Sequence, residues 1–205
     1  RKVIDHFRPR FLLGMTATPF RMDNKDIFAL CEDNIIYVIS LKQSIERDLL
    51  APFHYYAVYD PTDYDGVRIV NGSYVVEDLE RQLSHKERAD LILKHYTRLA
   101  GERILAFCAS IRHAEYMASF FIAHGVPAAA VHSEQAGTGH ALDRCTAVDE
   151  LECGRLKVVF SVDMFNEGVD IPSLDTVMFL RPTESYVLFL QQLGRGLRKH
   201  PGKSH

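Results

Sequence analysis

Ile104-Leu105-Ala106-Phe107-Cys108-Ala109-Ser110 decides the fold, because an unbroken apolar run ending in a hydroxyl predicts a strand buried on both faces that hands over to a helix. Ser110 offers the N-cap, Ala114, Met117, Ala118 and Phe121 recur with helical period, and Gly125 followed by Pro127 supplies the stop. The same unit repeats downstream. Residues 128–132 read as a second strand, and Leu142, Cys145, Val148 and Leu151 form the stripe of a helix ending at Gly154. Residues 156–162 and 175–180 read as third and fourth strands, and residues 186–197 as a last helix with Tyr186, Leu190, Leu193 and Leu197 turned inward. Strands separated by helices need crossover connections, so the expected fold is a three-layer α/β domain around a mainly parallel sheet.

Upstream the pattern changes. Ser84-His85-Lys86-Glu87 has capping-box form and predicts a helix running to Leu99, stopped by Gly101. Residues 60–72, rich in Asp, Pro and Gly, predict an exposed turn or insertion. Phe11-Leu12-Leu13-Gly14-Met15 reads as another buried strand, set apart by a helical stretch near Ile27 and a short strand at residues 35–39. Residues 1–34 are therefore read as the tail of a preceding domain, and residues 35–205 as the domain proper.

The 205 residues are 47% hydrophobic and 25% charged, which fits a chain with a packed core and argues against disorder. No apolar run approaches the roughly 18 residues of a membrane span. A net charge of −3 excludes a histone-like polycation but leaves room for nucleic-acid contacts made by a few placed groups. The four cysteines have irregular spacing and no CxxC pair, so no metal site is expected and a reducing, cytoplasmic setting is favoured. Cys108 and Cys145 read as small buried hydrophobes. Arg1-Lys2-Val3 offers neither an initiator Met nor a signal-peptide core, so the chain reads as part of something longer.

Three segments carry chemistry. In Gln191-Gln192-Leu193-Gly194-Arg195-Gly196-Leu197-Arg198, the residues Gln191, Arg195 and Arg198 fall at i, i+4 and i+7, which aims one amide and two guanidinium forks in a common direction. Such forks suit phosphate oxygens, although the spacing also suits a solvated basic helix end. Two glycines inside that helix cost about 1 kcal/mol each relative to alanine, and close approach by another domain or a ligand would account for them. Ser161-Val162-Asp163-Met164-Phe165-Asn166-Glu167-Gly168-Val169-Asp170-Ile171-Pro172 follows a strand at the edge where open α/β sheets bind ligands. There Gly168 permits close backbone approach and Asp170 offers a carboxylate for ribose hydroxyls, with an ordinary turn before Ile-Pro as the other reading. Gly14-Met15-Thr16-Ala17-Thr18-Pro19 places two hydroxyls on a turn after a strand, able to bridge neighbouring elements by hydrogen bonds or simply to end the strand. Gly202-Lys203-Ser204 imitates the end of a phosphate-binding loop, but Leu197 occupies the position where that pattern needs its first glycine.

Taken in order, these segments resemble the superfamily 2 helicases and translocases, a DEAD/DEAH-related group, and most closely the branch of type I and type III restriction-enzyme motor subunits. Residues 14–19 look like motif III, 104–110 like motif IV, 161–172 like motif V and 191–198 like motif VI. The resemblance implies a RecA-like domain of P-loop NTPase type, the second of two in an ATP-dependent motor acting on nucleic acid, with ATP in the cleft between lobes. By that resemblance Arg198 would be the arginine finger, with Arg195 and Gln191 as its catalytic companions and Gly168 and Asp170 facing the nucleotide. Thr16, Ala17 and Thr18 would couple nucleotide state to closure, and Ser161, Ser110 and Ser133 would contact the nucleic-acid backbone. The Mg²⁺ ligands are expected in the first lobe, so this stretch alone is expected not to hydrolyse ATP. DNA and a restriction-modification setting are favoured because the resemblance leans towards the restriction-related branch, and Gln192, standing where DEAD-box proteins commonly carry arginine, speaks against that RNA-centred branch without excluding RNA. The alternative is a catalytically silent interaction module descended from such a motor.

Overall fold

The computed structural model describes residues 6–203 other than 8, 18–27, 71, 133–140, 163–164, 166–169, 184 and 202. A 3-10 turn at Phe28–Cys31 precedes α1 (Leu41–Glu46) and a two-stranded hairpin of β1 (Ile69–Val70) and β2 (Ser73–Tyr74). Then follow α2 (Val76–Leu83), α3 (Lys86–Leu99), β3 (Ile104–Phe107), α4 (Ile111–Ala123), β4 (Ala128–Val131), α5 (Arg144–Glu152), β5 (Val158–Ser161), β6 (Thr176–Phe179) and α6 (Tyr186–Gly196). The last four strands form one parallel sheet in the order β4-β5-β3-β6. In register, Ile104 faces Val158 on one side and Thr176 on the other.

Local chemistry sets the helix ends much as the residues predict. Ser110 caps α4 by accepting the His113 N–H at 3.0 Å, and Gly125 leaves the helix at φ +78. Asp143 caps α5, accepting the N–H groups of Cys145 and Thr146, each at 3.0 Å. Strand alternation then sorts the core into two halves. Ile104, Ala106, Ala130, Val158 and Phe160 pack against Ala114, Met117, Ala118 and Phe121 of α4 and Ala89 of α3. On the opposite face Leu105, Phe107, Val131 and Val159 meet Ala147 and Leu151 of α5, with Ile171 and Leu174 from the connection into β6. Phe189 of α6 lies against Phe179 on that same side, with ring centroids 5.0 Å apart. The three-layer α/β arrangement is therefore present, with side chains each worth about 1.5–3 kcal/mol of burial on both faces.

Several expectations are corrected. Residues 11–15 form no strand and stand exposed, as do residues 35–38, because no neighbouring strand among the described residues offers a ladder to either segment. Ile27 and residues 18–26 lie outside the described residues, and the described chain resumes in the 3-10 turn at Phe28–Cys31. Ser84 does not cap α3: it ends the unforeseen α2, donating its N–H to the Glu80 carbonyl, and His85 takes the N-cap position without a side-chain bond. Cys108 is buried as expected, but Cys145 is exposed, since the inward axis of α5 runs through Ala147 and Leu151. Tyr186, the first residue of α6, is exposed rather than inward.

Residues 60–72 turn out to be anchored. Val67 packs with Leu79, Leu83 and Ala109, with Tyr64 and Tyr74 at the margin. Asp60 ties this strap to α3: its Oδ2 accepts Arg88 Nε at 2.8 Å and the Tyr64 hydroxyl at 3.2 Å, while Thr62 N–H donates to Oδ1 at 3.0 Å. Arg88, only 9% exposed, also donates from Nη2 to the Leu180 carbonyl at 2.9 Å, linking strap, helix and the end of β6. Burial works to raise the Asp60 carboxyl, but hydrogen bonds from Thr62 and Arg88 outweigh it and hold the group below its ordinary value. Behind them His113 is fully buried, its Nδ1 accepting the Ala109 N–H at 3.3 Å. Burial, with the Arg88 charge adding to it, pulls the His113 imidazole down to about 3.

Two consequences are measurable. Asp60→Ala leaves the Arg88 guanidinium buried without its carboxylate and is expected to cost about 3 kcal/mol, read from the urea midpoint; a loss under about 1 kcal/mol would mean the strap is not anchored by this pair. For His113, the native state refuses a proton that the unfolded chain binds below 6.5, so stability is complete above that pH and falls as acid is added. Between about pH 6.5 and 4.5, before carboxylates contribute, the expected slope is roughly 1.4 kcal/mol per pH unit, and His113→Leu is expected to flatten it.

Candidate functional site

α6 runs back along β6 in the opposite direction. Phe189 lies against Phe179 at the end of the strand, whereas Gly196 lies against Val177 nearer its start. A Cβ at Gly196 would sit 2.9 Å from Val177 Cγ2, so it is the chain's own sheet that demands glycine there. Gly194 differs, since a Cβ at that position would meet nothing within 4 Å. The close approach inferred from the two glycines is thus internal for one of them.

The helix stops at Gly196 with Leu197 as its C-cap. Gln191 and Arg195 lie on α6 itself, both partly buried, but Arg198 stands one residue beyond the cap. The expected single helical face is therefore completed by a residue outside the helix. Arg198 Nη1 forms an ion pair with Asp170 Oδ1, with the two side chains 41% and 60% exposed. Structure thus brings together two residues that lie far apart in sequence, in an ion pair that is exposed and not buried. Their location also corrects an expectation. From Asp170 the chain passes through buried Ile171 and Leu174 to Asp175, whose carboxylate receives the N–H groups of Glu102 at 2.8 Å and Arg103 at 3.1 Å. Asp170 and Arg198 consequently meet beside the beginning of β6, away from the C-terminal edge of the sheet.

That C-terminal edge holds the other predicted groups. Ser110 is nearly buried, and its hydroxyl is engaged twice: it accepts the His113 N–H and donates to Glu80 Oε2 at 2.6 Å. Ser161 at the end of β5 has no exposed surface. In this conformation neither hydroxyl is offered to an outside ligand, because one is spent on a helix cap and on Glu80 and the other is sealed from solvent. Beside them His132 Nε2 lies 3.3 Å from Glu115 Oε1, a buried pairing that no sequence pattern announced. Thr16 and Ala17 are exposed, and Gln192 is wholly buried, apart from the arginine-bearing surface. Thr18, Ser133 and Gly168 lie outside the described residues. A cavity of about 450 Å³ between residues 59–63 and α2–α3 is lined by none of Gln191, Asp170, Arg195 and Arg198. Among the described residues no group of three or more His, Cys, Asp or Glu is placed to hold a metal ion.

Sequence reasoning also passed over the surroundings of the α6 terminus. Ala51 N–H donates to the Leu197 carbonyl at 2.8 Å, and Lys199 Nζ pairs with Asp48 Oδ2 at 2.5 Å, which seats the segment after α1 against the end of the arginine helix. Basic residues just past a predicted helix end were the available signal.

The model of the helicase conserved C-terminal domain family matches residues 76–200, from the start of α2 to beyond Arg198. The chain belongs to this family. The resemblance to superfamily 2 helicases is thereby met, and the four-stranded parallel sheet is the RecA-like core of a helicase C-terminal domain. Relatives agree across nearly the whole chain. A 51.5 kDa protein of a Lactococcus phage is 29% identical over 97% of this chain and 42% of its own length. The candidate ATP-dependent helicase IRC3 of Saccharomyces cerevisiae is 26% identical over 100% of this chain and 30% of its own. An Escherichia coli type I restriction enzyme subunit, the EcoAI endonuclease subunit, is 24% identical over 97% and 27% respectively. Among solved structures, a fragment of a candidate HsdR subunit of a type I restriction enzyme from Vibrio vulnificus superposes with a TM-score of 0.70 at 24% identity, covering 98% of this chain and 39% of that one, which supports the fold. The chain spans less than half the length of these relatives.

The two glycines of this helicase C-terminal domain make opposite predictions. Gly196→Ala is expected to destabilise by about 1–3 kcal/mol, because a β-branched side chain in a packed core cannot step aside freely. Gly194→Ala is expected to be neutral or to stabilise by up to about 1 kcal/mol, as an ordinary helix-interior replacement. Melting curves of the two variants separate the cases, and equal behaviour would refute the assignment of Gly196 to close packing.

Proposed function

We propose that this helicase C-terminal domain is the second RecA-like lobe, residues 35–205, of an ATP-dependent helicase or translocase, with residues 1–34 the tail of the first lobe. The Arg198–Asp170 pair at an open surface carries the reading. Half-exposed, it costs little to open, and the freed guanidinium presents parallel donors to phosphate oxygens. Arg195, on the last turn of the same helix, adds a second fork, and Gln191 an amide one turn earlier. Asp170, released from Arg198, faces nucleotide hydroxyls, with Gly168 beside it in sequence.

In this reading ATP is held by the partner lobe and completed by Arg198, which stabilises charge on the transferring phosphoryl group. Mg²⁺ belongs to that partner lobe, and this chain alone does not turn over ATP. Thr16, Ala17 and Thr18 couple closure to the nucleotide. Nucleic acid, DNA by preference, crosses the C-terminal sheet edge, with Ser110, Ser161 and Ser133 as its contacts; the Ser110 hydroxyl must first leave Glu80, and Ser161, which has no exposed surface, must be uncovered. The setting is cytoplasmic, and a restriction-type motor is the favoured context.

In the protein carrying both lobes, Arg198→Ala is expected to lower nucleic-acid-stimulated ATP turnover by about 10³-fold or more while nucleotide affinity changes little. Turnover at the unsubstituted rate would overturn the proposal, and so would loss of nucleotide binding with turnover per bound ATP preserved.

A further inference from the structure

Lys203, set in a stretch that imitates a phosphate-binding loop, has a different employment in the fold. A helix end leaves its last carbonyls without intrahelical donors. At the end of α6, three consecutive carbonyls receive donors from outside. Lys203 Nζ donates to the carbonyl oxygens of Gly196 and Arg198, the latter at 3.0 Å, and between them the Ala51 N–H takes that of Leu197 at 2.8 Å. Lys203 reaches this position through a turn in which its own N–H donates to the His200 carbonyl at 3.0 Å, with Pro201 in the second place that proline favours. Its ammonium also meets the negative end of the helix dipole.

Arg198 is the residue most affected. Lying past the C-cap, its backbone is outside the helical ladder that orients Gln191 and Arg195. We infer that Lys203 is a positioning residue for Arg198: by gripping the carbonyls on both sides of Leu197, it fixes the backbone from which the guanidinium reaches Asp170. Neither the helix nor the sheet supplies this restraint, since Arg198 is in neither. Partial burial holds the Lys203 ammonium below the ordinary lysine value, with the charge of Asp175 opposing, which is consistent with a cation drawn in against the protein. The consequence for turnover rests on the nucleotide reading of Arg198; the positioning is a property of this chain alone.

The test separates the two. In the 205-residue chain, the arginine Nε–Hε NMR signals are compared among the parent, Lys203→Met, Lys203→Arg and Asp170→Asn. Expected: Lys203→Met moves the Arg198 signal as Asp170→Asn does, leaves that of Arg88 in place, and Lys203→Arg retains the parent position. An Arg198 signal unmoved in Lys203→Met overturns the inference, as does a joint shift of Arg88 and Arg198, which marks general loosening. In the two-lobe protein Lys203→Met is expected to slow ATP turnover about tenfold with KM for ATP held within roughly twofold, and Lys203→Arg to restore it. If the NMR shifts hold while neither Lys203→Met nor Arg198→Ala slows turnover, the positioning stands and the nucleotide reading is what fails.

Discussion

Two-sided burial of β3 is the constraint on which the remaining structure depends. It pairs with β5 on one edge and β6 on the other, and all four of its side chains are sealed from water. A strand so enclosed must satisfy its backbone groups within the sheet, and here both of its neighbours are parallel to it, so the chain has to cross back over the sheet between strands. The helices then cover both faces. The positions of Ser110 at the end of the strand, and of α6 along β6, follow from that arrangement.

This is also why so much of the fold was legible. Apolar runs with Ser, Asp or Gly at their ends announce buried strands and capped helices through local chemistry, and Ser110, Gly125 and Gly154 act as their residue types suggest. What the sequence could not report was pairing. Residues 11–15 and 35–38 have strand composition but find no ladder among the described residues, and composition cannot reveal whether a partner strand is present. Ser84 shows the converse limit: its capping-box pattern was real, yet α2 ends there first, so the hydroxyl lies at a helix C-terminus.

The candidate site was legible in its residues and less so in its geometry. Spacing placed Arg198 on one face with Gln191 and Arg195, but Gly196 presses on Val177 and the helix ends there, so Arg198 is directed by carbonyl contacts instead of helical period. The meeting of Arg198 with Asp170, and of Arg88 with Asp60, spans 28 residues in each case and belongs to topology. Hydroxyls were judged by residue type alone, which is blind to their employment: Ser110 is consumed by a cap and by Glu80.

Comparison of those two arginine pairs separates structure from candidate function. Arg88 is nine-tenths buried, joined to a carboxylate and a main-chain carbonyl, and removing its partner strands a charge with little access to water. Arg198 is 41% exposed against a carboxylate that is 60% exposed, a pairing whose net worth in water is roughly 1 kcal/mol or less. A polyphosphate carries more charge than one carboxylate and accepts a guanidinium through two parallel bonds, so it competes for Arg198 on favourable terms. Arg88, by contrast, is committed to the Asp60 carboxylate and the Leu180 carbonyl within the fold. An arginine tethered weakly at a surface, on a backbone gripped firmly from behind, combines a defined resting place with freedom to change partner, and that combination is what the proposed role of Arg198 asks of it.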